Sequence, residues 1–140
     1  YYLIKNIMAI NPPPRRNFNF EAPLVHKTCE FYKTIYLISA RLSKLDKLGL
    51  FLKIEQLCLE IINLSLTASL EKRPNKTAHL LKARMQTELL KKLVRIASEL
   101  NIIEQKKYIE LEIFLQEISK MSTNWINSII EKPDSKEIPG

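Results

Sequence analysis

Lys82-Ala-Arg-Met-Gln-Thr-Glu-Leu-Leu-Lys-Lys-Leu-Val-Arg-Ile-Ala-Ser-Glu-Leu-Asn101 reads as one amphipathic helix whose two faces differ sharply in chemistry. At about 100° per residue, Met85, Leu89, Leu93, Ile96 and Leu100 gather on one side, widened by Leu90, Val94 and Ala97. That side is expected to face the core. Arg84, Lys91 and Arg95 stand at i, i+7 and i+11, within about 40° of arc on the opposite side, with Lys92 beside them. The spacing predicts a cationic stripe, diluted by Glu88, which has Arg84, Lys92 and Arg95 within reach along the helix.

Working outward, the chain of 140 residues suits one domain, and its 46% apolar residues suffice for a sizeable core. Two glycines in the whole chain are few for an antiparallel sheet, whose hairpins need positive-φ positions, so the class is expected to be all-α. The formal charge of +7 favours polyanions but also suits an ordinary solvated helical protein, so the distribution of sign matters more than the total. Between Glu71 and Lys107 ten basic residues face four acidic ones, whereas from Tyr108 to Gly140 six acidic residues outnumber three lysines. A molecule polarised in this way suits an oriented partner.

Residues 1–20 show no sustained period and contain Pro12-Pro-Pro-Arg-Arg16, which predicts an extended arm, with Met8-Ala9 the expected natural start. A four-helix bundle is expected over residues 21–132, followed by a polar tail over 133–140. Pro23 opens the first helix, whose seam Leu24, Phe31, Ile35, Ile38, Leu42 and Leu45 predicts a run out to Asp46. Leu48-Gly49 breaks it. The second predicted helix, Leu50 to Leu70, keeps its polar residues Lys53, Gln56, Glu60, Asn63, Thr67 and Glu71 on one narrow strip. So apolar a helix either buries a second side in a neighbouring subunit or runs through the middle of a monomeric core; both readings stand at this point.

Pro74 is expected to end that helix, with Asn75 or Thr77 capping the third, and Asn101 to close the third in the left-handed conformation. The fourth places Tyr108, Leu111, Phe114, Leu115, Ile118, Met121, Trp125, Ile126 and Ile129 on one face and stops before Pro133. Short connections between four long helices predict an antiparallel up-down-up-down order.

Enzyme chemistry finds little support. His26 and His79 have no partner at metal-ligand spacing, and the carboxylates Glu55 and Glu60 lack the Glu-x-x-His element of di-metal bundles. No Gly-rich phosphate loop or nucleophile elbow occurs, so no catalytic residue, metal or cofactor is assigned. Cys29 and Cys58 sit among apolar neighbours and are expected to be reduced and buried, as in a cytoplasmic protein. No run of about 18 charge-free apolar residues suggests a membrane span. Trp125, Tyr32 and Tyr36 lie on apolar stripes and are expected in the core. The stripe suits phosphate contacts and plain solvation alike, and its two arginines lend the first reading bidentate geometry. Candidate phosphate contacts are Arg84, Lys91, Lys92 and Arg95, with the connection Lys72, Arg73 and Lys76.

In order and spacing, several landmarks together resemble a known family. These are Leu48-Gly49 with Ile54-Glu55, Leu90-Lys-Lys-Leu-Val-Arg-Ile-Ala-Ser-Glu-Leu100, Gln105-Lys-Lys-Tyr108, and Ile118-Ser-Lys-Met121 with Trp125-Ile126. From about Glu21 to Lys132 the chain resembles the accessory variability determinant (Avd) family of diversity-generating retroelements, which are four-helix-bundle proteins. Lys91 and Arg95 match positions where that family tends to carry arginine, and Lys120 matches another. The family also tends to have glycines near the last of these, where this chain has Ser119, Thr123 and Asn124. The resemblance implies a homopentameric barrel with a basic surface. It would be non-catalytic, binding a reverse transcriptase and template RNA or cDNA during mutagenic retrohoming. A bundle family encoded in intervening sequences of bacterial ribosomal RNA genes shares the architecture and is the alternative, together with a general helical adaptor.

Overall fold

The computed structural model describes residues 22–131, all helical with no strand among them. Four long helices pack together: α1 (Pro23–Ser39), α3 (Leu50–Leu70), α4 (Arg73–Glu99) and α5 (Gln105–Glu131), with a one-turn helix, α2 (Lys44–Leu48), between the first two. The helices close a ring of neighbours, α1 against α3, α3 against α4, α4 against α5 and α5 against α1. The proposed arm over residues 1–20 and the tail over 133–140 lie outside the described residues.

Local chemistry sets the boundaries. α1 starts on Pro23, whose fixed φ and missing N–H suit the first helical turn. It ends at Ser39, earlier than the apolar period suggests, because Ser43 starts a new helix by accepting the Asp46 N–H on its Oγ at 3.3 Å. Leu45 is consequently not in a core seam but 83% exposed. Gly49 joins α2 to α3 where a Cβ would stand 2.9 Å from the Leu45 carbonyl oxygen, so glycine is required by close approach. Pro74 opens α4 instead of ending α3, and neither Asn75 nor Thr77 caps: Lys72 is the cap residue and offers no side-chain bond. At the other end of α4, Asn101 takes φ 60°, the Ile102 N–H donates to the Ala97 carbonyl and the Asn101 N–H to that of Ser98. This paired closure fits the expected left-handed cap and carries Ile102 back onto the core.

The core joins Phe31 and Ile35 of α1, Phe51, Ile54, Cys58 and Ile61 of α3, Leu80, Leu90 and Val94 of α4, and Leu111, Leu115 and Ile118 of α5. Buried hydroxyls are satisfied one turn back along their own helices: Thr28 donates to Leu24, Ser65 to Ile61 and Thr87 to Ala83, each at 2.8 Å. Phe31 meets Phe114 edge to face at 5.2 Å, and Lys27 lies over the Phe114 ring while pairing with Glu117 at 2.7 Å. Trp125 and Tyr32 pack partly buried against this core, but Tyr36 is exposed.

The register of α4 departs from expectation. Its buried residues are Leu80, Ala83, Thr87, Leu90, Val94 and Ala97, spaced alternately three and four apart. Met85 is 70% exposed, and Leu89, Ile96 and Leu100 are exposed as well. Small residues at positions 83, 87 and 97 let the helix approach closely, and this favours a seam that contains fewer large side chains.

Candidate nucleic-acid interface

Because α4 is rotated, the cationic stripe does not lie opposite the core. Arg84, Lys91 and Arg95 still share one arc, but that arc lies roughly 90° from the buried seam, along the groove where α4 meets α5. The groove is marked by Ser119 of α5, whose Oγ donates to Glu88 Oε2 at 3.2 Å. The face opposite the core is instead apolar, formed by Leu81, Met85, Leu89, Ile96 and Leu100.

Each cation has its own circumstances. Lys91 donates to Glu88 at 2.9 Å and keeps only 17% of its side chain exposed. Glu88 therefore pairs at i+3, and not with Lys92 or Arg95. The Lys91 hydrogen bond, aided by Ser119 and the nearby Arg84 charge, holds the Glu88 carboxyl below its ordinary range. Arg95 makes an i,i+4 pair with Glu99 at 3.5 Å and remains 63% exposed. Arg84, Lys92 and Lys120 are exposed, Lys92 leaning toward the outer apolar face. Lys72 is exposed at the start of α4, while Lys76 is half-buried near its seam. Arg73 reaches across to donate to the Ile129 carbonyl of α5 and so fastens the two helices at that end.

α5 contributes groove residues to which sequence reasoning gave no part in the site. Tyr108 donates its hydroxyl to Glu112 at 2.9 Å, and this bond pushes the phenol above its ordinary range, with Arg95 close enough to act against it. The i,i+4 spacing of Tyr108 and Glu112 was a readable signal. Ser119 ties α5 to Glu88.

The exposed Arg84 and Arg95 make this side of α4 chemically suited to anions. α4 carries Arg73, Lys76, Lys82, Arg84, Lys91, Lys92 and Arg95 against only Glu88 and Glu99, a basic rod about 40 Å long. Among the described residues the cysteines are poorly placed for covalent chemistry. Burial pushes the Cys58 thiol far up, with Glu55 adding to the shift, while Cys29 is half-buried where full burial was expected. No helix among the described residues is long and apolar enough to cross a membrane.

The chain matches the bAvd-like family model over residues 24–129, which spans all four long helices. It belongs to the bAvd-like family. This bears out the resemblance read from the landmarks in α3, α4 and α5. Comparison with curated proteins returns no match.

Proposed function

We propose that this bAvd-like protein is a non-enzymatic accessory protein of a diversity-generating retroelement, which binds nucleic acid and the element's reverse transcriptase in the cytoplasm during mutagenic cDNA synthesis. Membership of the bAvd-like family across residues 24–129 carries the reading. The basic rod of α4 supports it: Arg84, Lys91 and Arg95, with Lys72, Arg73 and Lys76 toward one end and Lys120 on α5, are the phosphate-contacting groups. Phosphate contacts of this kind favour affinity over base preference, so RNA and DNA both bind.

In this reading the subunits are antiparallel up-down-up-down bundles assembled into a homopentameric ring. Two contacts support the antiparallel order of the last two helices: Arg73 at the start of α4 reaches Ile129 at the end of α5, and Glu88 meets Ser119 nearer their middles. A ring would repeat each basic rod and raise avidity without new base contacts.

The test has two arms. Sequencing of the flanking DNA is expected to find a reverse transcriptase gene, whose purified product co-elutes with this protein. Fluorescence anisotropy is expected to show binding of a structured RNA and a duplex DNA at about 50 mM salt that weakens steeply as salt rises. No binding to either nucleic acid and no co-elution would overturn the proposal.

A further inference from the structure

Two helices present rows of large apolar side chains to solvent. On α4 the row is Leu81, Met85, Leu89, Ile96 and Leu100; on α3 it is Leu52, Leu59 and Leu66, seven residues apart, continued by Leu70. Each row lies roughly 150° around its helix from the buried seam, so neither is a fringe of the core. They face different sides of the bundle. The α3 row leans toward α1, where Leu52 and Tyr36 line one shallow groove, and the α4 row lies away from the α5 seam. Isolated exposed leucines are ordinary, but two continuous rows in one small domain call for a partner.

Length and charge indicate which partner. Leu52 to Leu70 spans about 27 Å of helix and Leu81 to Leu100 about 29 Å, so one row can cover the other end to end. Glu55 borders the α3 row, and from Ile54 to Leu70 the helix has no lysine or arginine, whereas the α4 row is flanked by Lys82 and centred on Lys92. The spacing Met85, Leu89, Lys92 and Ile96 is that of a coiled-coil seam, in which the Lys92 stem covers apolar surface while its ammonium reaches the rim.

We infer that the outer face of α4 docks on the outer face of α3 in a second copy of this chain, so that subunits join head to tail and Lys92 serves the subunit contact instead of phosphate. This rests on the proposed self-assembly and adds which surfaces make it. Unlike surfaces on different sides leave each joined pair with one free face at either end, the requirement for a ring or an open chain in place of a two-fold dimer.

Two double variants test it by light scattering at micromolar concentration: Leu89→Glu with Ile96→Glu on α4, and Leu59→Glu with Leu66→Glu on α3. Each alone is expected to run as a single subunit, with association weakened at least about 100-fold. An equimolar mixture is expected to give a two-subunit species and nothing larger, because each variant keeps the face that the other has lost. All four positions are exposed, and circular dichroism checks that helicity is kept; if either glutamate pair lowers it, glutamine at the same positions carries the same readout. A wild-type protein that runs as a single subunit would overturn the assembly reading and this inference with it. Wild-type mass retained by either variant would overturn the assigned faces alone. Variants that remain single subunits when mixed would overturn the head-to-tail pairing.

Discussion

Replacing Lys91 and Arg95 together by glutamine isolates the two groove cations whose surroundings are best defined. Each phosphate neutralised contributes about 0.9 to the slope of log affinity against log salt on duplex DNA and about 0.7 on single strands, so losing two flattens the slope by about 1.8 or 1.4. Between 50 and 200 mM salt this makes the wild type lose about tenfold more duplex affinity than the variant. The structure also bounds the competing costs. Lys91 gives up a bond to Glu88 at 2.9 Å and Arg95 one to Glu99 at 3.5 Å, helix-surface pairs of a kind worth about 0.3–0.5 kcal/mol each, less than a phosphate contact returns. Glu88 keeps its hydrogen bond from Ser119 when Lys91 leaves. Lys91 packs most of its stem, so the variant is expected to lose about 1 kcal/mol of stability, a fall of about 3–5 °C in melting temperature, with helicity intact. Fluorescence anisotropy with a labelled RNA hairpin and a duplex DNA across a salt series measures the slope. An unchanged slope and affinity in a folded double variant would refute the groove as the phosphate site.

The register of α4 predicts that Leu90→Ala costs about 2–5 kcal/mol in urea unfolding, whereas Leu89→Ala costs under about 1 kcal/mol when both are measured in the assembly-blocking Leu59→Glu, Leu66→Glu background; equal costs would count against the assigned core face. Cys58 is expected to resist thiol labelling in the native protein, since it is fully buried and its thiol is shifted up; rapid modification without unfolding would contradict this. Glu88→Gln is expected to strengthen RNA binding severalfold by releasing Lys91, and anisotropy reads it directly. The Glu88 carboxyl is shifted down on folding, so its small stabilising contribution is present above the ordinary carboxylate range and is lost as pH falls through the lowered folded value. Acid titration of Glu88→Gln should lack that component, and an identical profile would show the pair to be inert.

Much of this architecture was legible because it depends on local chemistry. Pro23, the Gly49 junction and Asn101 mark boundaries through backbone conformations that their own residues impose, and the apolar face of α5 appears where its period places it. Boundaries decided by competition were harder to read. Leu42 and Leu45 continue the period of α1, but the Ser43 cap outweighs two more leucines and begins α2. Pro74 fits either role assigned to proline near a helix end, and only the packing of the following turns makes it a starter.

The orientation of α4 has the widest consequences for the site. Its sequence offers two apolar arcs, one rich in large side chains and one that mixes Leu80, Leu90 and Val94 with Ala83, Thr87 and Ala97. Hydrophobicity alone favours the first, but close packing of four helices favours the second, because small residues let backbones approach and three-four spacing meshes with the neighbouring helices. The angular relation among Arg84, Lys91 and Arg95 is intrinsic to the helix and survives either choice; their surroundings do not. Turning the seam to Leu90 and Val94 swings the cations to the α5 groove, where Glu88, itself bonded by Ser119, holds Lys91, and exposes Met85, Leu89 and Ile96. One rotation thus separates two chemistries that a single amphipathic reading merges: a charged groove suited to phosphates and an apolar row suited to another subunit. Lys92, between them, belongs with the apolar row, and for that reason the Lys91 and Arg95 substitution probes phosphate binding without disturbing assembly.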